Sequence, residues 1–198
     1  MPIGSDPEAH KVLSKLGQIA IEWNNIDALM RLLLSVFIGG GDKTDIITAH
    51  MNSPVFINMM KTFTAEYAPK DAQAHFTCLY EFYDRMREYR NYYIHGITNI
   101  AYEKDRPIGF AQSRSARGRL VLHQDSIDLT KLQGCLDNLD TLRAFLNRFL
   151  DEFLWGGNKK DLVGYLPLAS IEIPPLPDKL QKPRLFLLGE ATRGADDV

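Results

Sequence analysis

Apolar residues recur every three or four positions in four long segments of this 198-residue chain. That spacing places them on one face of an α-helix, so each segment predicts an amphipathic helix with one buried stripe. The predicted long helices run over 7–38, 53–67, 71–95 and about 128–154, and a short one over 44–50. Stripes of this length must cover one another, which predicts a mainly α fold, an antiparallel helical bundle of about four long helices.

Residues that start and stop helices separate these segments. Gly39–Gly41 follow the first helix, and Ser53 with Pro54 fits an N-cap with proline at the first helical position. Asp71 is the predicted cap of the helix that runs to about His95. Gly96 is expected to end that helix.

Two segments depart from the helical period. Alternating apolar residues over 97–123 predict a small β-hairpin-like insertion of two or three strands, broken at 104–109 and 113–118, before the last helix. The bundle is expected within 1–157. The proline-rich stretch 158–198 predicts an extended arm or a disordered tail that docks on its own core or on a partner chain. Exchange of this arm onto a second subunit stays open.

Charge and cysteine content limit the classes of function. The formal net charge of -2 and the pI near 6.2 argue against a dedicated duplex-DNA binder. Cys78 and Cys135 lie within helical patterns, where reduced, buried thiols are expected. The N-terminal residues have no apolar leader pattern, and no run approaches the roughly 18 apolar residues of a membrane span. We expect a cytoplasmic protein without a membrane partner.

The segment 86–96 combines groups that can carry chemistry. On a regular helix, Asn91 and His95 share the side opposite the apolar stripe, and Arg90 reaches that side from its edge. Histidine titrates near neutral pH, an arginine fork suits a phosphate, and an asparagine amide can orient either group. Such a set suits phosphodiester transfer without a metal. The alternative is structural, since a histidine complements the dipole at a helix end and Arg90 can pair with a nearby carboxylate.

One imidazole cannot easily serve both ends of such a transfer. It can take the proton of a ribose 2′-hydroxyl, but the 5′-oxygen leaves on the opposite side of the phosphorus and also needs a proton. Two-fold symmetry would supply a second His95.

The stretch from Arg90 to His95 is similar to the signature of the HEPN family. That signature is an arginine, usually followed by a small polar residue, and a histidine after four to six intervening residues near the end of a bundle helix. Here Asn91 is the polar residue, and four residues separate Arg90 from His95. The resemblance covers roughly 13–95 and 128–154.

The resemblance implies a homodimer in which the two helices that carry Arg90 to His95 meet. Many HEPN proteins are metal-independent endoribonucleases in toxin-antitoxin, phage-defence or RNA-processing systems, and the expected product is a 2′,3′-cyclic phosphate. His95 would act in acid-base catalysis, Arg90 would stabilise the charged phosphorane, and Asn91 would position one of them. Ile97 stands where some HEPN toxins carry a tyrosine that is adenylylated, so that control is not expected here.

Other members of the family are not enzymes. They are dimeric modules that bind a nucleotide or a protein, and this is the alternative function; a motif that arises by chance in a helical bundle is a third. RNA or a nucleotide, and an antitoxin or operon partner, are the expected partners. The spacing of the histidines and cysteines predicts no metal, and no cofactor fingerprint is present.

Several basic residues could hold RNA phosphates beside this site. Solvated loop charges explain those in the insertion equally well. The candidates are Arg87, Arg106, Arg114, Arg117 and Arg119.

Overall fold

A computed structural model describes most of the chain. The described residues are 7–38, 41–68, 70–103, 106–114, 120–126, 129–151 and 171–180.

Five α-helices account for most of these residues. They are α1 (Pro7–Phe37), α2 (Asp42–Ala49), α3 (Ser53–Tyr67), α4 (Gln73–Arg90) and α5 (Leu129–Leu150). The prediction of a mainly α protein is confirmed at this level. Within the described residues, no helix combines the length and the apolar character needed to cross a bilayer.

The start of α3 corrects one predicted cap. Asn52, and not Ser53, is the N-cap, because the backbone N–H of Val55 donates to Asn52 Oδ1 at 3.1 Å. Ser53 and Pro54 are already the first residues of the helix. The helix ends at Tyr67, and Ala68 is extended, as expected for a residue that precedes a proline in the sequence.

Helix α4 differs from its prediction at both ends. It begins at Gln73, two residues after the predicted cap Asp71, and the preceding residues form a turn. At the other end the α-helical repeat stops at Arg90, and Asn91–Gly96 forms a single π-helical turn, here called the π turn. The predicted α-helix to about His95 is therefore wrong over its last residues.

Three strands follow the π turn. They are β1 (Ile97–Glu103), β2 (Arg106–Arg114) and β3 (Leu120–Ser126), and they form one antiparallel sheet in the order β1-β2-β3. An irregularity in the register lies between Ile97 and Asn99. Strand β2 begins inside the stretch 104–109 that was expected to be a break, because pairing with β1 resumes at once, with Arg106 opposite Glu103.

The chain divides into two compact units. The first comprises 1–20, 88–136 and 179–198, and the second comprises 21–87 and 137–178. Fully buried aromatic rings fill the core of the second unit, and they are Phe56, Phe76, Phe82, Tyr83 and Phe149. In the first unit, the buried side chains include Val12, Ile19, Tyr93, Leu132 and Cys135.

A half-buried polar network ties α1 to its neighbours in the second unit. Arg31 Nε donates to Asp27 Oδ2 at 2.7 Å, and the Arg31 guanidinium also donates to the carbonyl oxygens of Thr48 and Met51 at the end of α2. The Tyr83 hydroxyl donates to Asp27 Oδ1. The last carbonyls of a helix have no hydrogen-bond donor within the helix, and Arg31 donates to the Thr48 carbonyl in the last turn of α2.

Residues 171–180, here called the arm, form neither helix nor strand, and the part from Ile171 to Pro177 contacts α4. In the second unit, His75 Nε2 donates to the carbonyl of Ile171 at 2.8 Å, Cys78 Sγ donates to that of Pro174 at 3.7 Å, and Arg85 Nη1 donates to that of Pro177. The three carbonyls are three residues apart, which is the repeat of a polyproline II helix. Within this chain, the described part of the proline-rich segment contacts its own helix.

Candidate active site at the end of helix α4

The π turn forms at a run of residues with low helix propensity. Tyr92, Tyr93 and Ile94 are consecutive bulky residues with low helix propensity, and Gly96 follows shortly after them. Short π-helical turns occur frequently at functional sites. All three residues of the predicted motif, from Arg90 to His95, lie at or within this turn.

The changed repeat brings Arg90 and His95 together. On a regular α-helix, a residue and the fifth residue after it point about 140° apart when viewed along the helix axis. In a π-helix the backbone hydrogen bond joins residues i and i+5, so residues five apart lie one above the other. Arg90 Nη1 contacts His95 Nε2, and it also donates to Asn91 Oδ1 at 3.1 Å. The structure therefore groups the three predicted residues, and it does so by a turn that the regular-helix prediction did not include.

The three side chains differ in their exposure to solvent. His95 is exposed, whereas Arg90 and Asn91 are half-buried. Arg90 Nε is fully buried, and the described residues offer it no hydrogen-bond partner. A buried donor without a partner costs free energy, and an anion at this position would remove that cost.

The chemistry of the two groups fixes the direction of the contact between them. A guanidinium has only N–H donors and no acceptor, so Arg90 must donate and His95 Nε2 must accept. A nitrogen that accepts is unprotonated. As a hydrogen bond, this contact requires an unprotonated Nε2, and an unprotonated ring nitrogen is also what a general base needs.

Three tyrosines of the first unit are close to the site in the sequence. Tyr93 is only 6% exposed, and its ring packs against Tyr92 at 5.3 Å and Tyr89 at 6.3 Å between ring centroids. This supports a packing role for Tyr93 rather than base stacking. Tyr89 and Tyr92 are half-buried.

The predicted basic residues have different positions. Arg87 pairs with Asp84, its Nη2 lying 2.7 Å from Oδ1, one helical turn earlier. Arg106 and Arg114 lie at the two ends of β2. Arg117 and Arg119 fall outside the described residues. A common RNA-binding site for these five arginines stays a prediction.

Two features of the site were not part of the sequence prediction. One is the π turn, for which the run Tyr92, Tyr93 and Ile94 before Gly96 is the sequence signal that could have indicated an irregular helix end. The other is the buried Arg90 Nε, for which the sequence contains no signal. Among the described residues, no group of three or more histidine, cysteine, aspartate or glutamate side chains is arranged to hold a metal ion.

Comparisons with family models, with curated proteins and with solved structures find no match to this chain. We therefore infer its function from the chemistry of Arg90, Asn91 and His95.

Proposed function

We propose that this protein is a metal-independent endoribonuclease of the HEPN type that acts as a homodimer. The observation that carries the proposal is the convergence of Asn91 and His95 on the Arg90 guanidinium at the end of a long helix in a mainly helical chain. The proposal includes the arrangement of the long helices as an antiparallel bundle, with the strands β1 to β3 as an insertion before the last helix.

The proposed reaction is an intramolecular transesterification. Neutral His95 Nε2 takes the proton of the ribose 2′-hydroxyl, and the 2′-oxygen forms a bond to phosphorus as the bond from phosphorus to the 5′-oxygen breaks. The leaving oxygen takes a proton from an imidazolium on the opposite side. The products are a 2′,3′-cyclic phosphate and a 5′-hydroxyl, and no oxidant or metal is needed to balance the step.

Each group has a separate part in this reaction. The Arg90 guanidinium matches the geometry of the phosphate oxygens and stabilises the charge that develops on them. Asn91 Oδ1 accepts from Arg90 Nη1 and so orients the guanidinium. Each chain has one histidine between Arg90 and Gly96, so the second imidazole comes from the His95 of the second copy of the chain.

The test is cleavage of mixed RNA by the purified protein in excess chelator. We expect cleavage with 2′,3′-cyclic phosphate ends, and a loss of at least about 100-fold in His95→Ala and Arg90→Ala, as for removal of an acid-base or oxyanion-stabilising group. Arg148→Ala is the matched control, since Arg148 is an exposed arginine on α5. Cleavage that survives both substitutions would contradict the mechanism. Absence of cleavage by the unmodified protein would favour the nucleotide- or protein-binding module.

A further inference from the structure

The contact between Arg90 and His95 occupies the atom that the proposed reaction needs. His95 Nε2 has one lone pair, and the Arg90 Nη1 donor lies on it. A 2′-hydroxyl cannot give its proton to Nε2 while that lone pair is taken. The arrangement is therefore a resting state, and the reaction requires Arg90 to leave the imidazole.

Arg90 is held on one side of its guanidinium. Nη1 carries two hydrogens, and its two acceptors are Asn91 Oδ1, at 3.1 Å, and His95 Nε2. On the other side, the buried Nε–H has no partner among the described residues. Among the described residues this donor is unsatisfied in the resting state, and a ligand that offers a charged oxygen would satisfy it.

A phosphate oxygen is a stronger acceptor for a guanidinium than a neutral imidazole nitrogen is. Hydrogen bonds between two charged partners are roughly twice as strong as neutral ones, and an arginine can bind a phosphate through two parallel bonds. Transfer of Arg90 from His95 to a phosphate is therefore favourable, and it frees Nε2 at the moment when the substrate arrives.

We infer that Arg90 is a positioning residue for His95: in the ligand-free protein it fixes the imidazole proton on Nδ1, and a phosphate group draws it away and releases Nε2. This inference rests on the proposed function for its purpose. The contact itself and its response to phosphate can be measured without any cleavage of RNA.

The experiment measures the protonation state of the His95 ring nitrogens. The full-length protein, labelled with 15N, is studied by long-range 1H–15N correlation at a mildly alkaline pH, and His95 is assigned with the His95→Asn variant. We expect the Nδ1–H tautomer in the unmodified protein. In Arg90→Ala we expect a shift toward the Nε2–H form, which an isolated histidine side chain prefers. Arg148→Ala, the exposed-arginine control, should keep the spectrum of the unmodified protein.

Inorganic phosphate is the probe for the release step. In the unmodified protein, phosphate should move the His95 nitrogen signals toward those of Arg90→Ala, and sodium chloride at the same ionic strength should not. If Arg90→Ala does not fold, this titration of the unmodified protein still tests the inference.

Three results would overturn it. They are an Nε2–H tautomer of His95 in the ligand-free protein, no movement of the signals with phosphate, and an equal movement in Arg90→Ala. If the protein cleaves RNA and shows any of these results, the proposed function stands and the resting contact does not. If it shows none of them and cleaves no RNA, the phosphate-responsive pair stands and the proposed function does not.

Discussion

Cys135 lies in α5 with 1% of its surface exposed, and burial raises the pKa of its thiol from the ordinary 9.0 to about 12. Burial and the nearby Glu81 carboxylate raise the pKa of the Cys78 thiol to about 11, against the lowering effect of Arg85. Reactive cysteines have lowered pKa values, since the thiolate is the nucleophile. Both thiols therefore behave as buried apolar groups, as the sequence predicts.

Burial of Cys135 makes stability depend on pH at the alkaline end. Below about pH 9 the thiol is protonated in both the folded and the unfolded protein, and its full contribution is present. At higher pH the unfolded chain loses the proton that the folded chain retains, so the free energy of unfolding falls as pH rises toward 12. At pH 10.5 the loss from this thiol is about 2 kcal/mol.

Urea unfolding of the unmodified protein and of Cys135→Ala at pH 8 and pH 10.5 measures this term. Effects common to both proteins, such as the raised pKa of the Tyr83 hydroxyl, cancel in the comparison. Burial raises that pKa first, and the hydrogen bond to Asp27 raises it further. The stability difference between the two proteins should shift by about 2 kcal/mol in favour of Cys135→Ala at the higher pH. A difference that does not change with pH would contradict the prediction.

At the scale of elements, the cap of α3 gives a direct test of a helix boundary. Asn52→Ala removes the oxygen that accepts from the N–H of Val55, and we expect the free energy of unfolding to fall by about 1 kcal/mol. Asn58→Ala is the control, because Asn58 is an exposed residue inside the same helix, where alanine is the better helix former. Thermal or urea unfolding of both variants measures the difference. Equal losses in the two variants would show that Asn52 does not cap the helix.

The long helices could be predicted from the sequence because their buried faces require apolar residues every three or four positions, and the sequence shows that spacing. The observed α1 and α3 end within one or two residues of their predicted bounds. The exact cap could not be chosen, because Asn52 and Ser53 are adjacent residues of types that both cap helices well. Only the backbone path decides which side chain faces the free N–H groups.

The sequence nominated the residues of the candidate site, but it did not predict the geometry in which they meet. The residue types and their spacing identified Arg90, Asn91 and His95, and the structure groups them. Their contact depends on a change from the α to the π repeat after Arg90. The run of Tyr92, Tyr93 and Ile94 before Gly96 signals an irregular helix end, but it does not specify the π repeat.

At the scale of the whole molecule, the proposed nuclease needs two chains at one phosphate. If each active site takes a histidine from both chains, a dimer with one His95→Ala subunit is inactive. A nine-fold excess of His95→Ala, exchanged until mass spectrometry shows mixed dimers, should lower the activity of each unmodified chain about 10-fold through random pairing. The same excess of serum albumin is the control. If the activity per unmodified chain does not depend on the proportion of His95→Ala chains, a shared site is ruled out.

The arm also has a consequence for how this protein can vary. Helix α4 holds it through the carbonyl oxygens of Ile171, Pro174 and Pro177, which are main-chain atoms that every amino acid possesses. Replacing Pro174 leaves its acceptor in place and mainly increases the freedom of the unfolded chain. Removing one residue between these positions would instead shift the following carbonyls away from their donors on α4. Apart from the buried Ile171 and Pro177, this segment should therefore tolerate exchanges of side chain far better than changes in length.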